Sequence, residues 1–231
     1  MNENRLRQEI CDVGASIHGR GLTHGATGNI SVRLDNGWLL TPTGSNLGNL
    51  DPDRLSRLDG DGNHVAGDKP TKESFLHLAV YDQRPGSGAV VHLHATHSVA
   101  VSVLADLDPA DLLPPITAYY VMRVGKLPLV PFYAPGDMKL AEAVRQTAAA
   151  HHAMLLANHG PVVAGTDLGA ALDAAEELEE TARLFMLLQG QRTRYLTEGQ
   201  VAALHKAFPN KAQQWGEIMG YSLENFRQYT P

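Results

Sequence analysis

Cysteine is nearly missing from this chain: Cys11 stands alone among 231 residues. A disulfide framework within the chain is therefore excluded, and a reducing compartment is expected. Positive charge is also scarce. The 19 lysines and arginines are outnumbered by 25 aspartates and glutamates, leaving a net charge of −6. That argues against nucleic acid as a partner, which would need a basic face. A small anionic ligand stays compatible, because a few local cations and backbone amides can hold one against the global charge. Long apolar runs are absent too. None approaches the roughly 20 residues of a membrane span, so no membrane partner is expected. The first ten residues are polar and amphipathic, unlike a secretory signal, and the cytoplasm is the expected location. No repeat, linker or disorder-prone stretch is visible, and residues 1–231 are expected to form one domain.

Histidine, by contrast, is abundant, with 11 residues, where ordinary composition gives roughly half as many. Placing those histidines needs a coarse map of the chain. Residues 3–20 read as a helix, with Leu6, Ile10, Val13 and Ile17 at helical spacing. A small, polar stretch, Gly25 to Ser31, leads into a strand at about 30–34. Asp35-Asn36-Gly37 is a hairpin turn before a return strand at Trp38-Leu39-Leu40. A second strand-turn unit surrounds Asp59-Gly60-Asp61-Gly62-Asn63. Thr71 reads as the N-cap of a helix running to about Arg84, with Phe75, Leu76, Ala79 and Val80 as its apolar face.

Ala89 to His94 is a strand, and a helix follows from Thr96 or His97 to Leu104. The segment 112–135 carries five prolines and reads as short apolar strands. Residues 137–150 are helical. Met154 to His159 and Val162-Val163-Ala164 are two short buried strands around a tight turn. A long acidic helix spans 167–191, and the tail is helical again over 197–220. Helices alternating with hairpins predict an α/β fold with a mixed or antiparallel sheet and helices on its faces.

The strongest local signal is His92-Leu93-His94. Side chains two apart on a strand share a face, about 6–7 Å apart at the backbone, so two imidazoles can converge on one cation. Two solvent-facing or internally satisfied histidines would give the same pattern. Asn158-His159-Gly160 forms a polar corner between apolar strands, a frequent setting for a site residue. Glu73 falls in the first turn of the 71–84 helix, where it could also simply complement the helix dipole. Together, three imidazoles and a carboxylate make a zinc-type ligand set; manganese or cobalt could use similar ligands.

Three small-residue loops are candidates for a phosphate: Gly28-Asn29 with Ser31, Thr43-Gly44 with Ser45, and Thr71-Lys72. Glycine lets the backbone approach an anion, while hydroxyls and amides donate to it. Each loop alone is more often an ordinary turn. A lysine at a helix start opposes the dipole, so Lys72 is either paired with an anionic ligand or simply solvated.

Taken in order, these pieces resemble the class II aldolase/adducin family. The resemblance rests on Gly28-Asn29-Ile30-Ser31, Thr41-Pro42-Thr43-Gly44, Glu73 with His77, Val90-Val91-His92-Leu93-His94 and Asn158-His159-Gly160. It covers about residues 3–205. It implies α/β/α layers around a mostly antiparallel sheet and one zinc ion on His92, His94 and His159. It implies Glu73 as acid/base, bound to the metal until substrate displaces it. Gly28, Asn29, Thr43, Gly44, Thr71 and Lys72 would line a phosphate pocket. A tyrosine from a neighbouring subunit assists proton transfer in the family's aldolases. Tyr119 and Tyr120 fall in that region, with Tyr120 preferred, and a homo-oligomer, a tetramer, is implied.

The chain also departs from the aldolase pattern. Pro70-Thr71-Lys72-Glu73 stands where the aldolases carry a serine pair before the glutamate. The family's epimerases use an aspartate at the position of Glu73, and its adducin head domains lack the metal histidines. Lys69 to Glu73, Leu47 to Pro52 and Tyr119 to Lys126 are similar to the branch acting on 3-oxo-tetronate 4-phosphates. The implied reaction is decarboxylation to dihydroxyacetone phosphate through a metal-bound enediolate. The alternatives are aldol cleavage of a short phosphorylated ketose and a non-catalytic scaffold. Lys72, Arg123 and Lys126 are the candidate cations for the phosphate or carboxylate.

Overall fold

The computed structural model describes residues 2–134 and 136–208. The first helix, α1 (Glu3–Gly19), is capped by the Asn2 side chain and buries Leu6, Ile10, Gly14 and Ile17. That spacing of three and four puts one stripe of the helix on the core. Strands β1 (Asn29–Leu34) and β2 (Gly37–Leu40) pair antiparallel around the Asp35-Asn36 turn. Strands β3 (Ser56–Leu58) and β4 (His64–Ala66) flank the Asp59–Asn63 turn, as the turn residues predict. Then come α2 (Ser74–Gln83), β5 (Ala89–His92), α3 (Thr96–Ser102), α4 (Ala118–Arg123), β6 (Leu129–Val130), α5 (Lys139–Ala148), β7 (Ala153–Leu156), β8 (Gly160–Gly165), α6 (Leu168–Leu187) and α7 (Glu198–Ala207).

These eight strands form one sheet in the order β4-β3-β2-β1-β5-β8-β7-β6, in which only the β6–β7 pair is parallel. Strands β7 and β8 are apolar at every position because both faces are covered. Ala89, Val91, Ala153, Leu155 and Val163 join α1, α3, α4 and α6 in one core. The alternate residues Val90, Met154, Leu156, Val162 and Ala164 join α2 and α5 in the other. The sheet is thus the middle layer of three, as the expected α/β/α arrangement requires.

Four sequence-level readings change, the first being that β5 ends at His92 and not at His94. Helix α2 begins at Ser74 rather than at Thr71, and Glu73 takes the N-cap position. Thr71 is held back because its N–H donates to Thr41 O (3.2 Å), next to a bridge between Pro42 and Pro70. The 112–135 segment is not mainly strand. It contains α4, opened by Thr117, whose hydroxyl accepts from Tyr120 N–H (2.9 Å), and only the two-residue β6. The strand before the His159 corner ends at Leu156. In the tail, α7 ends at Ala207, and the helix expected to continue to 220 lies beyond residue 208, outside the described residues.

Candidate metal centre and active site

His92 is the last residue of β5, and His94 lies just past it, on a sheet whose next strand is β8. His159 sits in the turn that joins β7 to β8. Asn158 takes a left-handed φ of 57° there, a conformation that asparagine tolerates better than most residues. A side chain at Gly160 would strike the Leu93 carbonyl, so glycine lets this corner close onto the end of β5. Helix α3 starts two residues after His94 and is clamped by Glu179 of α6. That buried carboxylate accepts from His97 N–H (2.9 Å), His97 Nδ1 (2.8 Å), Ser98 N–H (2.8 Å) and Ser98 Oγ (2.8 Å).

The result is convergence. Glu73, His92, His94 and His159 each offer a ligand atom, all within 4.8 Å of one another. His159 Nε2 is 3.1 Å from His94 Nε2 and 3.2 Å from Glu73 Oε1, and His92 Nε2 is 3.5 Å from Glu73 Oε2. His92 Nδ1 donates to Pro161 O (2.8 Å), which fixes the tautomer and leaves Nε2 with its lone pair toward the cluster. That Nε2 is fully buried and has no hydrogen-bond partner among the described residues. An orphaned imidazole nitrogen inside a three-His, one-carboxylate set fits a divalent cation.

The electrostatics agree. Burial pushes the proton affinity of His92 down to about 4, and nearby His159 and His94 add to this against the attraction of Glu73. Burial, then His159, also lowers His94. Both rings are therefore neutral near pH 7, as ligands must be. Burial pushes Glu73 up, but its contacts with His159, His92 and Asn29 outweigh this and hold the carboxyl well below its usual range.

The structure brings the three phosphate-candidate loops together at the N-terminal end of α2. Thr43 N–H donates to Lys69 O (2.9 Å), Thr71 N–H to Thr41 O, and Ile30 N–H to Thr41 Oγ1 (3.2 Å). Gly44 has a left-handed φ of 70° and open space around it. Gly28 packs against the backbone of His92, where a Cβ would come within 3.0 Å of the carbonyl oxygen. Lys72 is exposed and precedes the helix, so the dipole argument does not apply to it. Ser31 is fully buried and bonded to His77 and Tyr81, away from any loop mouth. Asn29 is also buried, with its amide committed to Glu73 and His77. Ser45 bonds to its own loop at Pro42 O (2.7 Å).

The two candidate tyrosines sit in different surroundings. Tyr120 is buried at 2% exposure in the core of its own chain, whereas Tyr119 is 56% exposed. Arg123 lies over the Tyr119 ring (5.3 Å) and pairs with Asp173 (3.0 Å). Burial raises Asp111 to about 6, with Lys126 among the influences that oppose the rise. Two residues escaped the sequence reading in their site context: Tyr81, and His24, whose charge is felt at His94. Tyr81 carried a signal in its spacing of four from His77 and eight from Glu73.

The sequence profile of the Class II Aldolase and Adducin N-terminal domain matches residues 8–186. A protein of Haemophilus influenzae named 3-oxo-tetronate 4-phosphate decarboxylase is 51% identical over 205 residues, spanning 88% of this chain and 98% of its own. The L-fuculose phosphate aldolase of Escherichia coli is 35% identical over 188 residues, 80% of this chain and 85% of its own. The crystal structure of YgbL from Escherichia coli superposes with a TM-score of 0.86 at 49% identity, covering 87% of this chain and 98% of that one. With the profile match across most of its length and relatives this close, the chain belongs to the class II aldolase and adducin family.

Proposed function

We propose that this protein is a metal-dependent carboxy-lyase that converts a 3-oxo-tetronate 4-phosphate into dihydroxyacetone phosphate and carbon dioxide. The observation that carries the reading is the complete cluster of Glu73, His92, His94 and His159. It stands in a chain about half identical to relatives bearing that name, such as the 50% identical protein of Escherichia coli K12. An intact ligand set also speaks against a scaffold-only role. Zinc is the metal proposed, with manganese or cobalt able to use the same donors.

When bound, the cation supplies Lewis-acid stabilisation to the negative charge that develops on the substrate's oxygens. The rest falls to the protein. The substrate's ketone is beta to its carboxylate, so breaking the bond to carbon dioxide leaves its electron pair delocalised as an enediolate. His92, His94 and His159 would hold the cation through their ring nitrogens. Glu73 is ionised in the substrate-free site. Once the anionic substrate displaces it, Glu73 would take up a proton from water and deliver it to the enediolate carbon. The Gly28 and Gly44 amides and the Thr43 and Thr71 hydroxyls hold the phosphate, with exposed Lys72 at its edge. Tyr119 is the tyrosine proposed to assist from a neighbouring subunit, which makes the active form a homo-oligomer, with a tetramer as the expected state. The cytoplasm is the proposed compartment; no described helix is long and apolar enough to cross a membrane.

The test is a panel of 3-oxo-tetronate 4-phosphates and ketose phosphates with product identification. Carbon dioxide and dihydroxyacetone phosphate are expected. The 35% identity to a fuculose-phosphate aldolase makes an aldehyde product from a ketose phosphate the outcome that would replace decarboxylation by aldol cleavage.

A further inference from the structure

Residues Glu73, His77 and Tyr81 are spaced by four along the chain, and His77 and Tyr81 lie on α2; Asn29 and Ser31 are spaced by two on β1. Four residues of helix rise about 6 Å, and two residues of strand about 6.7 Å. The two rows therefore run nearly in step and interdigitate. Asn29 Nδ2 donates to Glu73 Oε2 (2.7 Å), and Asn29 Oδ1 meets His77 Nε2 (2.5 Å). His77 Nδ1 meets Ser31 Oγ (2.7 Å), and Ser31 Oγ meets Tyr81 Oη (2.9 Å). Ser31 and His77 are fully buried, Tyr81 is 2% exposed and Asn29 is 5% exposed.

With His77 neutral, as its full burial favours, only one assignment of protons satisfies every link. An ionised Glu73 only accepts, so Asn29 must turn its NH2 toward it. The Asn29 carbonyl then faces His77, which must donate from Nε2. His77 Nδ1 is therefore bare and accepts from Ser31, whose oxygen in turn accepts from Tyr81. Every donor points toward the carboxylate, and such one-way chains strengthen their members. The far end is closed. The Arg33 guanidinium sits 4.6 Å from the Tyr81 ring centroid, with its own donors on Ser87 O (2.9 Å) and Tyr81 O (3.0 Å). A chain that ends in the core has no outlet for a proton, and an amide link does not pass one. Its effect is on orientation.

We infer that Tyr81, Ser31 and His77 are positioning residues which, through the Asn29 amide, fix the Glu73 carboxylate against the imidazole cluster. This rests on the reading of Glu73 as acid/base and metal ligand. Reversing any one link would set the Asn29 carbonyl against Glu73 and turn an attraction into a repulsion between two acceptors.

The test uses Ser31→Ala and Tyr81→Phe, each removing one oxygen, alone and combined with Glu73→Gln. Three quantities are read on full-length protein: thermal stability, Zn2+ affinity by chelator competition, and kcat and KM on the substrate the wild type turns over. Loss of such outer partners costs roughly 10- to 100-fold in metal affinity or activity. Each single variant is expected to lose about that factor in Zn2+ affinity and in kcat, with KM little changed. In the Glu73→Gln background the same substitutions should cost nothing further in either. Folded variants that keep both quantities within about twofold of wild type would overturn the inference. So would an equal loss with and without the Glu73 carboxylate, which would make the chain a packing feature only. Should Ser31→Ala not fold, Tyr81→Phe decides alone, since its ring stays under Arg33. If the wild type turns over none of the panel, the reaction reading fails, while the Zn2+ cycle still tests the positioning role.

Discussion

His94 Nε2 and His159 Nε2 lie 3.1 Å apart although 65 positions separate the two residues in the chain. The same His159 nitrogen is also 3.2 Å from Glu73 Oε1. One N–H cannot be aimed at both neighbours, and His92 Nε2 beside them has no hydrogen-bond partner among the described residues. A single divalent cation in the middle satisfies three lone pairs and a carboxylate at once. The β7–β8 corner and the end of β5 are built to bring these groups together, at the cost of a left-handed asparagine.

Purified protein is therefore expected to hold about one divalent ion per chain. His94→Ala or His159→Ala should lose it, as read by elemental analysis. Stripping the metal should lower the melting temperature, and Zn2+ restored at about 1,000 times its Kd should return about 4 kcal/mol. Stoichiometric metal in a protein lacking both His92 and His94 would refute the site.

Glu73→Gln is expected to keep the fold, since the amide oxygen can still accept from Asn29. Turnover should fall by roughly 10²–10⁴-fold, the range for a general acid/base. Activity within a few-fold of wild type would remove Glu73 from the chemistry.

A pH effect should come from His152, remote in contacts from the metal ligands. Burial, joined by Arg84 and His151, pushes it down to about 3, although its Nε2 donates to Arg123 O (3.0 Å). Near pH 6.5 the unfolded chain takes up a proton at this residue and the folded chain does not. The contribution is thus complete above about 6.5 and is lost as pH falls toward 3, at up to tenfold in the folding constant per pH unit. His152→Gln keeps a donor and cannot titrate. Denaturation across that window should show a slope shallower by up to one proton, and an unchanged slope would contradict the assignment.

Much of this was legible in the sequence for one physical reason: local pattern. The two histidines at the end of β5, the polar corner at Asn158-His159-Gly160 and the turn at Asp35-Asn36 all express themselves over a few residues. What was not legible depends on long-range packing. Thr71 looks like a helix cap until its backbone is seen paired with Thr41. Ser31 looks like a loop hydroxyl until β1 is docked under α2, which buries it against His77. Helix α4 spans Ala118–Arg123, too short to show a helical period among prolines and apolar residues, so that segment reads as strand.

The same short helix sets the two candidate tyrosines apart. Successive residues on a helix point about 100° apart, so Tyr119 and Tyr120 cannot share an environment. Tyr120 is packed inside its own chain, and its hydroxyl is buried with no partner among the described residues. Tyr120→Phe should leave activity intact and hold or raise the melting temperature, because an unsatisfied buried hydroxyl costs about 1–3 kcal/mol. Tyr119 is exposed and free to face a second copy. Tyr119→Phe should lower kcat by roughly 10²-fold or more if its hydroxyl handles a proton. Mixing His94→Ala chains with Tyr119→Phe chains should restore part of the activity, since some interfaces would join an intact metal site to an intact tyrosine. A fully active monomer, or a Tyr120→Phe protein that is the inactive one of the pair, would return the role to the buried residue or end it.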